Sequence, residues 1–219
     1  MGKKNKLTKF AELNELPFVL QHTQDKAEIK SILSEYFRNY KSRVLELACG
    51  RGEYTIGLAD MYPDSLHIGI DIQGERIWAG AQQGIQKDLQ NVLFFRVQIE
   101  TIADFLPKES IDEIWITFPD PFLREKKAKK RLTSPRFLEI YKTILKDTGK
   151  IHLKTDSKEL FEYTQEIIAQ QDDLEMIEKL EGIPESGNTD PRLDIITKFE
   201  KKWRGLEKEI CYLQYKVSN

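Results

Sequence analysis

The chain has 219 residues, of which 40% are hydrophobic and 32% charged, with a formal net charge of −2 and a pI near 6.0. That length and apolar content suit one well-buried α/β domain and exclude a disordered chain, which carries fewer apolar residues and a larger net charge. The near balance of charge excludes a protein coated in positive charge, so any contact with nucleic acid has to come from local basic clusters.

Two such clusters stand in the sequence. Lys3, Lys4, Lys6 and Lys9 form the first, in an N-terminal stretch (residues 1–23) expected to be mobile. From about Gln24 to Phe37 the residues Ala27, Ile29, Ile32, Leu33, Tyr36 and Phe37 recur at helical spacing and predict a helix leading into a single domain, residues 24–219. Short apolar runs then alternate with amphipathic segments. Val44 to Leu47 is a predicted strand, followed by a helix near Tyr54 to Met61; Leu66 to Asp71 is the next strand, followed by a helix near Glu75 to Lys87. Val92 to Val97, Ile111 to Thr117 and Lys150 to Lys154 are further predicted strands, with helices around Pro135 to Lys146 and Lys158 to Gln170. Such alternation predicts a parallel sheet with helices on both faces. After it come an apolar run from Leu174 to Leu180, a loop rich in Gly, Pro, Ser, Asn and Asp from Gly182 to Pro191, and a last strand from Glu209 to Val217. Two closing strands joined by a long excursion fit an antiparallel hairpin at a sheet edge, and a loop of that length is more often functional than idle.

Nothing resembles a signal peptide, and no apolar span reaches about 18 residues, so the expected location is cytoplasmic and no membrane partner is expected. The two cysteines, Cys49 and Cys211, have no histidine beside them in the sequence, and His22, His67 and His152 make no metal-ligand spacing with either. Neither a catalytic thiol nor a metal is expected.

Two stretches carry the chemistry. The turn Glu46-Leu47-Ala48-Cys49-Gly50-Arg51-Gly52 follows the first predicted strand of the domain, and Asp71 ends the second. A glycine-rich turn followed by an acidic strand end is a nucleoside-binding arrangement, with Asp71 accepting from ribose hydroxyls. Glu46 at the end of its strand favours a cationic ligand. A dinucleotide site would need glycine at position 55, where this chain has Thr55, and Glu46 and Glu53 would repel a pyrophosphate. The second stretch runs from Ile114 through Phe118-Pro119-Asp120-Pro121-Phe122 into Arg124-Glu125-Lys126-Lys127-Ala128-Lys129-Lys130-Arg131. It sets a carboxylate between two prolines at a strand end, where the crevice of an open parallel sheet lies. Six cations follow it against one anion, a composition suited to phosphate contacts that position a nucleic acid without reading its sequence. Trp115, in mid-strand, is expected in the core.

These residues resemble the tRNA (guanine-N7)-methyltransferase family from about Val44 to Tyr215. The turn matches E-[IL]-G-x-G-x-G with Ala48 in place of the first glycine, and Gly69-Ile70-Asp71 matches the acidic strand end. Phe118 to Arg124 with the lysines beyond matches F-x-D-P-W-P-K-K-R-H-H-K-R-R, with Phe122 for tryptophan, Leu123 for proline and no histidines. Lys154-Thr155-Asp156 matches K-T-D, and Thr197-Lys198-Phe199-Glu200 matches T-x-[YF]-E. The resemblance implies a Rossmann-like class I methyltransferase fold, a mostly parallel seven-stranded sheet with an antiparallel C-terminal edge hairpin. It implies S-adenosyl-L-methionine as methyl donor, N7 of the variable-loop guanine of tRNA as acceptor, tRNA as partner, and a monomer or homodimer. Glu46, Gly50, Gly52, Asp71, Gln98 and Asp120 would then bind the donor, Asp120 would also be catalytic, and Arg124, Asp156, Thr197, Lys198, Phe199 and Glu200 would contact the tRNA or its target base. Two other readings remain. An adenine amino-methyltransferase would want a second proline after Asp120-Pro121, and a non-catalytic tRNA-binding protein on the same fold would not need the donor.

Overall fold

The computed structural model describes residues 6–217, and the chain forms two compact units, Met1–Leu106 and Pro107–Asn219. The first contains α1 (Lys6–Leu13), β1 (Val19–Gln21), α2 (Lys26–Asn39), β2 (Ser42–Leu47), α3 (Glu53–Met61), β3 (Ser65–Asp71), α4 (Gly74–Gln86) and β4 (Val92–Arg96), then a 3-10 helix over Ile99–Asp104. Its strands are parallel in the order β1-β4-β3-β2. β3 and β4 are buried along nearly their whole length, which is why they read as continuous apolar runs rather than alternating ones. α2 begins at Asp25, whose carboxylate accepts from the amides of Ala27 and Glu28, and it turns Ile29 and Leu33 inward.

α1 and β1 occupy part of the stretch expected to be mobile. Phe10 and Leu13 press on the start of α4, where a Cβ on Gly74 would stand 2.7 and 2.8 Å from them. Lys9 pairs with Glu75 at 2.8 Å and Glu12 accepts from the Trp78 indole at 2.8 Å. Neither element has a sequence signature: α1 spans only eight residues, and β1 is a three-residue edge strand. Of the first basic cluster, Lys3 and Lys4 lie outside the described residues, and Lys9 is engaged by Glu75 and the face of Trp78.

The second unit runs β5 (Ile111–Thr117), a 3-10 helix (Glu125–Lys130), α5 (Pro135–Ile144), β6 (Leu145–Thr155), α6 (Lys158–Ala169), β7 (Leu174–Leu180), a 3-10 helix (Pro191–Asp194), α7 (Lys198–Arg204) and β8 (Cys211–Val217). The strand order is β5-β6-β8-β7, with β5 and β6 parallel and β8 antiparallel to both of its neighbours. The expected closing hairpin is therefore present, as β7 and β8.

The pairing register divides this sheet into two unlike faces. Ile114, Ile116, Ile151, Leu153, Leu213 and Tyr215 share one, which packs against α5 and α6. Glu113, Trp115, His152, Lys154, Tyr212 and Gln214 share the other. The excursion between β7 and β8 lies on that polar face, with the Arg192 guanidinium 5.1 Å from the Trp115 ring and Lys154 donating to the carbonyls of Leu193 and Ile195.

Candidate active site

In the first unit the glycine-rich turn is built by its neighbours. Gly52 stands at the N-cap of α3 with φ +65° and has no side chain to satisfy the helix's free amides. Glu46 does so from β2: its Oε2 accepts from the Thr55 amide at 2.8 Å and from the Thr55 hydroxyl. A carboxylate beneath a helix N-terminus is also favoured by the helix dipole. The two glycines serve different ends. A Cβ on Gly52 would stand 2.4 Å from the Phe94 ring, so this glycine is demanded by packing, whereas a Cβ on Gly50 would meet nothing within 4 Å. The open space lies over Gly50. Its amide donates to Asp71 Oδ2 at 2.9 Å, and the Gln73 amide donates to Oδ1 at 2.7 Å. Asp71 is thus fixed at the strand end by two backbone amides, and each oxygen keeps a lone pair for a further donor. Ala48 holds the left-handed conformation, φ +54°, where its motif calls for glycine. Gln98 is exposed just beyond β4.

Cys49 lies inside this turn, 6% exposed. Burial, with the negative charges of Glu46 and Asp71, raises its thiol well above the ordinary range, so it stays protonated.

In the second unit Asp120 is exposed at the tip beyond β5, between a buried Pro119 and a half-buried Pro121. The residues flanking this triplet, Phe118 at φ +49° and Phe122 at φ +43°, both sit in the left-handed region that bulky side chains avoid. The Phe118 amide donates to the Lys154 carbonyl at 2.8 Å. Arg124, Lys126, Lys127, Lys129 and Lys130 face solvent, as a phosphate-binding loop requires. Arg131 does not: it is 8% exposed and donates to the carbonyls of Pro121 and Phe122 at 3.0 and 3.2 Å. Of the six cations expected at phosphates, five therefore face solvent, and the sixth turns inward to backbone oxygens.

Asp156 follows β6 with its side chain 14% exposed, paired to Lys208 at 2.7 Å. Thr197 caps α7, its hydroxyl accepting from the Glu200 amide at 3.1 Å. Glu200 is fully buried. Its Oε2 lies 2.8 Å from Lys154 Nζ, and its Oε1 accepts from Arg204 at 2.7 and 3.0 Å. Lys154 is equally buried, and that burial lowers its pKa against the opposing pull of Glu200. Within the four-residue motif, Thr197 and Glu200 thus turn inward while Lys198 and Phe199 face solvent. Trp115 is wholly buried and stacked on His152 at 4.0 Å, in the core as expected. Burial lowers the pKa of His152 against the opposing pull of Glu113; its Nδ1 meets the Tyr212 hydroxyl at 2.8 Å and its Nε2 lies 3.2 Å from Glu113.

Each unit thus gathers its own set. Glu46, Gly50, Gly52 and Asp71 come together in the first; Lys154, Thr197 and Glu200 come together in the second, with Asp156 next to them in sequence. Sequence reasoning missed Thr55, Lys208, Arg204 and the inward role of Arg131. For Thr55 a signal existed, since it lies three residues after the capless Gly52, where a helix leaves an amide to be satisfied. Among the described residues no helix is long and apolar enough to cross a membrane.

A family model described as "Putative methyltransferase" matches residues 40–213. A tRNA (guanine-N(7)-)-methyltransferase of Bacteroides thetaiotaomicron is 42% identical over 224 residues, covering 99% of this chain and 87% of that protein. One from Christiangramia forsetii is 46% identical over 170 residues, 75% of this chain and 76% of that one. Among solved structures, a 30S ribosomal A1408 methyltransferase from an uncultured bacterium superposes with TM-score 0.64 at 19% identity, covering 91% of this chain and 98% of that one. The 16S rRNA methyltransferase KamB does so with TM-score 0.65 at 13% identity, over 86% and 94%. These structural likenesses bear out the class I methyltransferase fold.

Proposed function

Because the chain belongs to the tRNA (guanine-N(7)-)-methyltransferase family, we propose that it transfers a methyl group from S-adenosyl-L-methionine to N7 of the variable-loop guanine of tRNA. The observation that carries this reading is the tip of the second unit: an exposed carboxylate, Asp120, followed directly by five solvent-facing cations. A cation run alone is a solvated surface. Beside a rigidly held carboxylate it suits an enzyme whose substrate is a polyanion.

The turn in the first unit fits the donor. Glu46 offers a fixed negative charge to a cationic ligand, Asp71 offers acceptors to ribose hydroxyls, the space over Gly50 leaves room, and Gln98 is exposed to hydrogen-bond an adenine. Bound there, S-adenosyl-L-methionine supplies an electrophilic methyl group. Guanine N7 carries an in-plane lone pair, so the acceptor needs no deprotonation, and the work left to the protein is positioning and electrostatic stabilisation. Asp120 accepts hydrogen bonds from the N1 and N2 edge of the guanine and offsets the positive charge the base acquires. Asp156 assists at the same edge once Lys208 lets go of it. Arg124 and the exposed lysines hold phosphates. Thr197 and Glu200, both turned inward, orient α7 so that Lys198 and Phe199 meet the RNA. A base in folded tRNA has to be exposed before its N7 is reached, and the half-buried Phe122 is the platform proposed to receive it.

The test is transfer of labelled methyl to unmodified bulk tRNA, with the product mapped by chain scission after borohydride and aniline. Scission at one variable-loop guanine is expected. Asp120→Asn should bind tRNA normally and lose turnover; full turnover in that variant refutes the role given to Asp120. Methylation without scission would move the target to another base, and tRNA binding without methylation would favour the non-catalytic alternative.

A further inference from the structure

Arg131 closes the basic loop, yet its geometry is not that of a phosphate contact. It is 8% exposed, and its Nε and Nη2 donate to the carbonyls of Pro121 and Phe122 at 3.0 and 3.2 Å. Its guanidinium lies 4.2 Å from the centre of the Tyr163 ring on α6. The next turn of chain is pinned to the same helix, where the Thr133 and Thr164 hydroxyls meet at 2.8 Å. The carbonyls that Arg131 holds belong to the tip carrying Asp120, and the Phe122 end of that tip sits at φ +43°. A bulky residue keeps such a conformation only where its surroundings enforce it.

We propose that Arg131 is a positioning residue for methyl transfer: its two-pronged donor, stacked on Tyr163, holds the strained Asp120 tip in the working geometry. The tip is fixed at both ends. Phe118 is tied to the Lys154 carbonyl at 2.8 Å, and Pro121 and Phe122 are tied to Arg131. The basic loop then does two jobs: its exposed cations face RNA, and its last cation reaches back to aim the carboxylate. This inference rests on the reading of Asp120 as the catalytic carboxylate.

Arg131→Lys tests it, because lysine keeps the charge and loses the planar fork that matches two carbonyls and stacks on a ring. With saturating donor, kcat should fall about 10- to 100-fold, the loss expected for a misplaced catalytic group. KM for tRNA and the slope of log affinity against log salt should stay as in the unaltered protein. The opposite split, with kcat intact, KM raised and the salt slope reduced by about one, would make Arg131 a phosphate contact and overturn the proposal. Tyr163→Leu removes the aromatic face and none of the loop's charges, so it decides the matter if Arg131→Lys folds poorly: a kcat loss at constant KM supports the clamp, and an unchanged kcat overturns it. Activity of the unaltered chain separates the two levels. Its absence removes the reading of Asp120, whereas normal activity with a kcat-neutral Arg131→Lys removes only the clamp.

Discussion

Acid should weaken this protein through one identifiable carboxylate. Glu113 Oε2 accepts from Arg192 Nη1 at 2.6 Å and from the Trp115 indole at 3.2 Å, and it lies 3.2 Å from His152 Nε2. Burial alone would raise its pKa. The His152 contact, the charges of His152 and Arg192 and the Trp115 bond prevail, and the carboxyl is held at about 2 against an ordinary 4.5. A folded pKa below the unfolded one means stability that is complete above the unfolded value and lost as pH falls through the folded one. At ~1.4 kcal/mol per pH unit the contribution is on the order of 3 kcal/mol, present above about pH 5 and gone near pH 2. The perturbation is Glu113→Gln, and the assay is urea unfolding of both proteins from pH 7 down to 2. Subtracting the two curves removes the other carboxylates. The difference should be about 3 kcal/mol at pH 7 and shrink toward zero near pH 2. A difference that stays constant between pH 5 and 2 refutes the reasoning.

Two further predictions concern stability. Ala48→Gly should raise the melting temperature by about 2 °C: the left-handed conformation costs an alanine about 1–2 kcal/mol, and the looser unfolded chain of glycine takes back only part of the gain. A fall in melting temperature would mean that the alanine methyl makes packing that outweighs its backbone strain. Lys154→Met should destabilise by about 2–4 kcal/mol, because the Leu193 and Ile195 carbonyls lose their donor while Glu200 keeps Arg204. A change under about 1 kcal/mol in urea unfolding would show that water reaches those carbonyls.

The framework from Val44 to Thr117 was legible because its strands are buried on both faces and its helices are long enough to show a period. Shorter pieces were not. β1, α1 and α7 have three, eight and seven residues, and tertiary contacts rather than periodicity hold them. The site was legible as residue types in order, and less so as roles. Glu46 reads as a carboxylate at a strand end, yet that it caps α3 depends on Gly52 having no side chain. Arg131 reads as the last of six cations, and a count of charge cannot distinguish one that faces water from one that faces two carbonyls. Positive φ at Phe118 and Phe122 has no sequence signal, since neither residue type favours it.

The polar face of the second sheet has a thermodynamic consequence. Lifting the segment between β7 and β8 would hydrate Glu113, His152, Lys154 and Arg192 together with the buried rings of Trp115 and Tyr212. Polar exposure lowers heat capacity while apolar exposure raises it, so the enthalpy of that local opening varies little with temperature. The opposite face, sealed by Ile114, Ile116, Leu153 and Leu213 against α5 and α6, comes apart with the steep curvature of an apolar core. One sheet therefore answers to two stimuli, pH on one side through Glu113 and heat on the other.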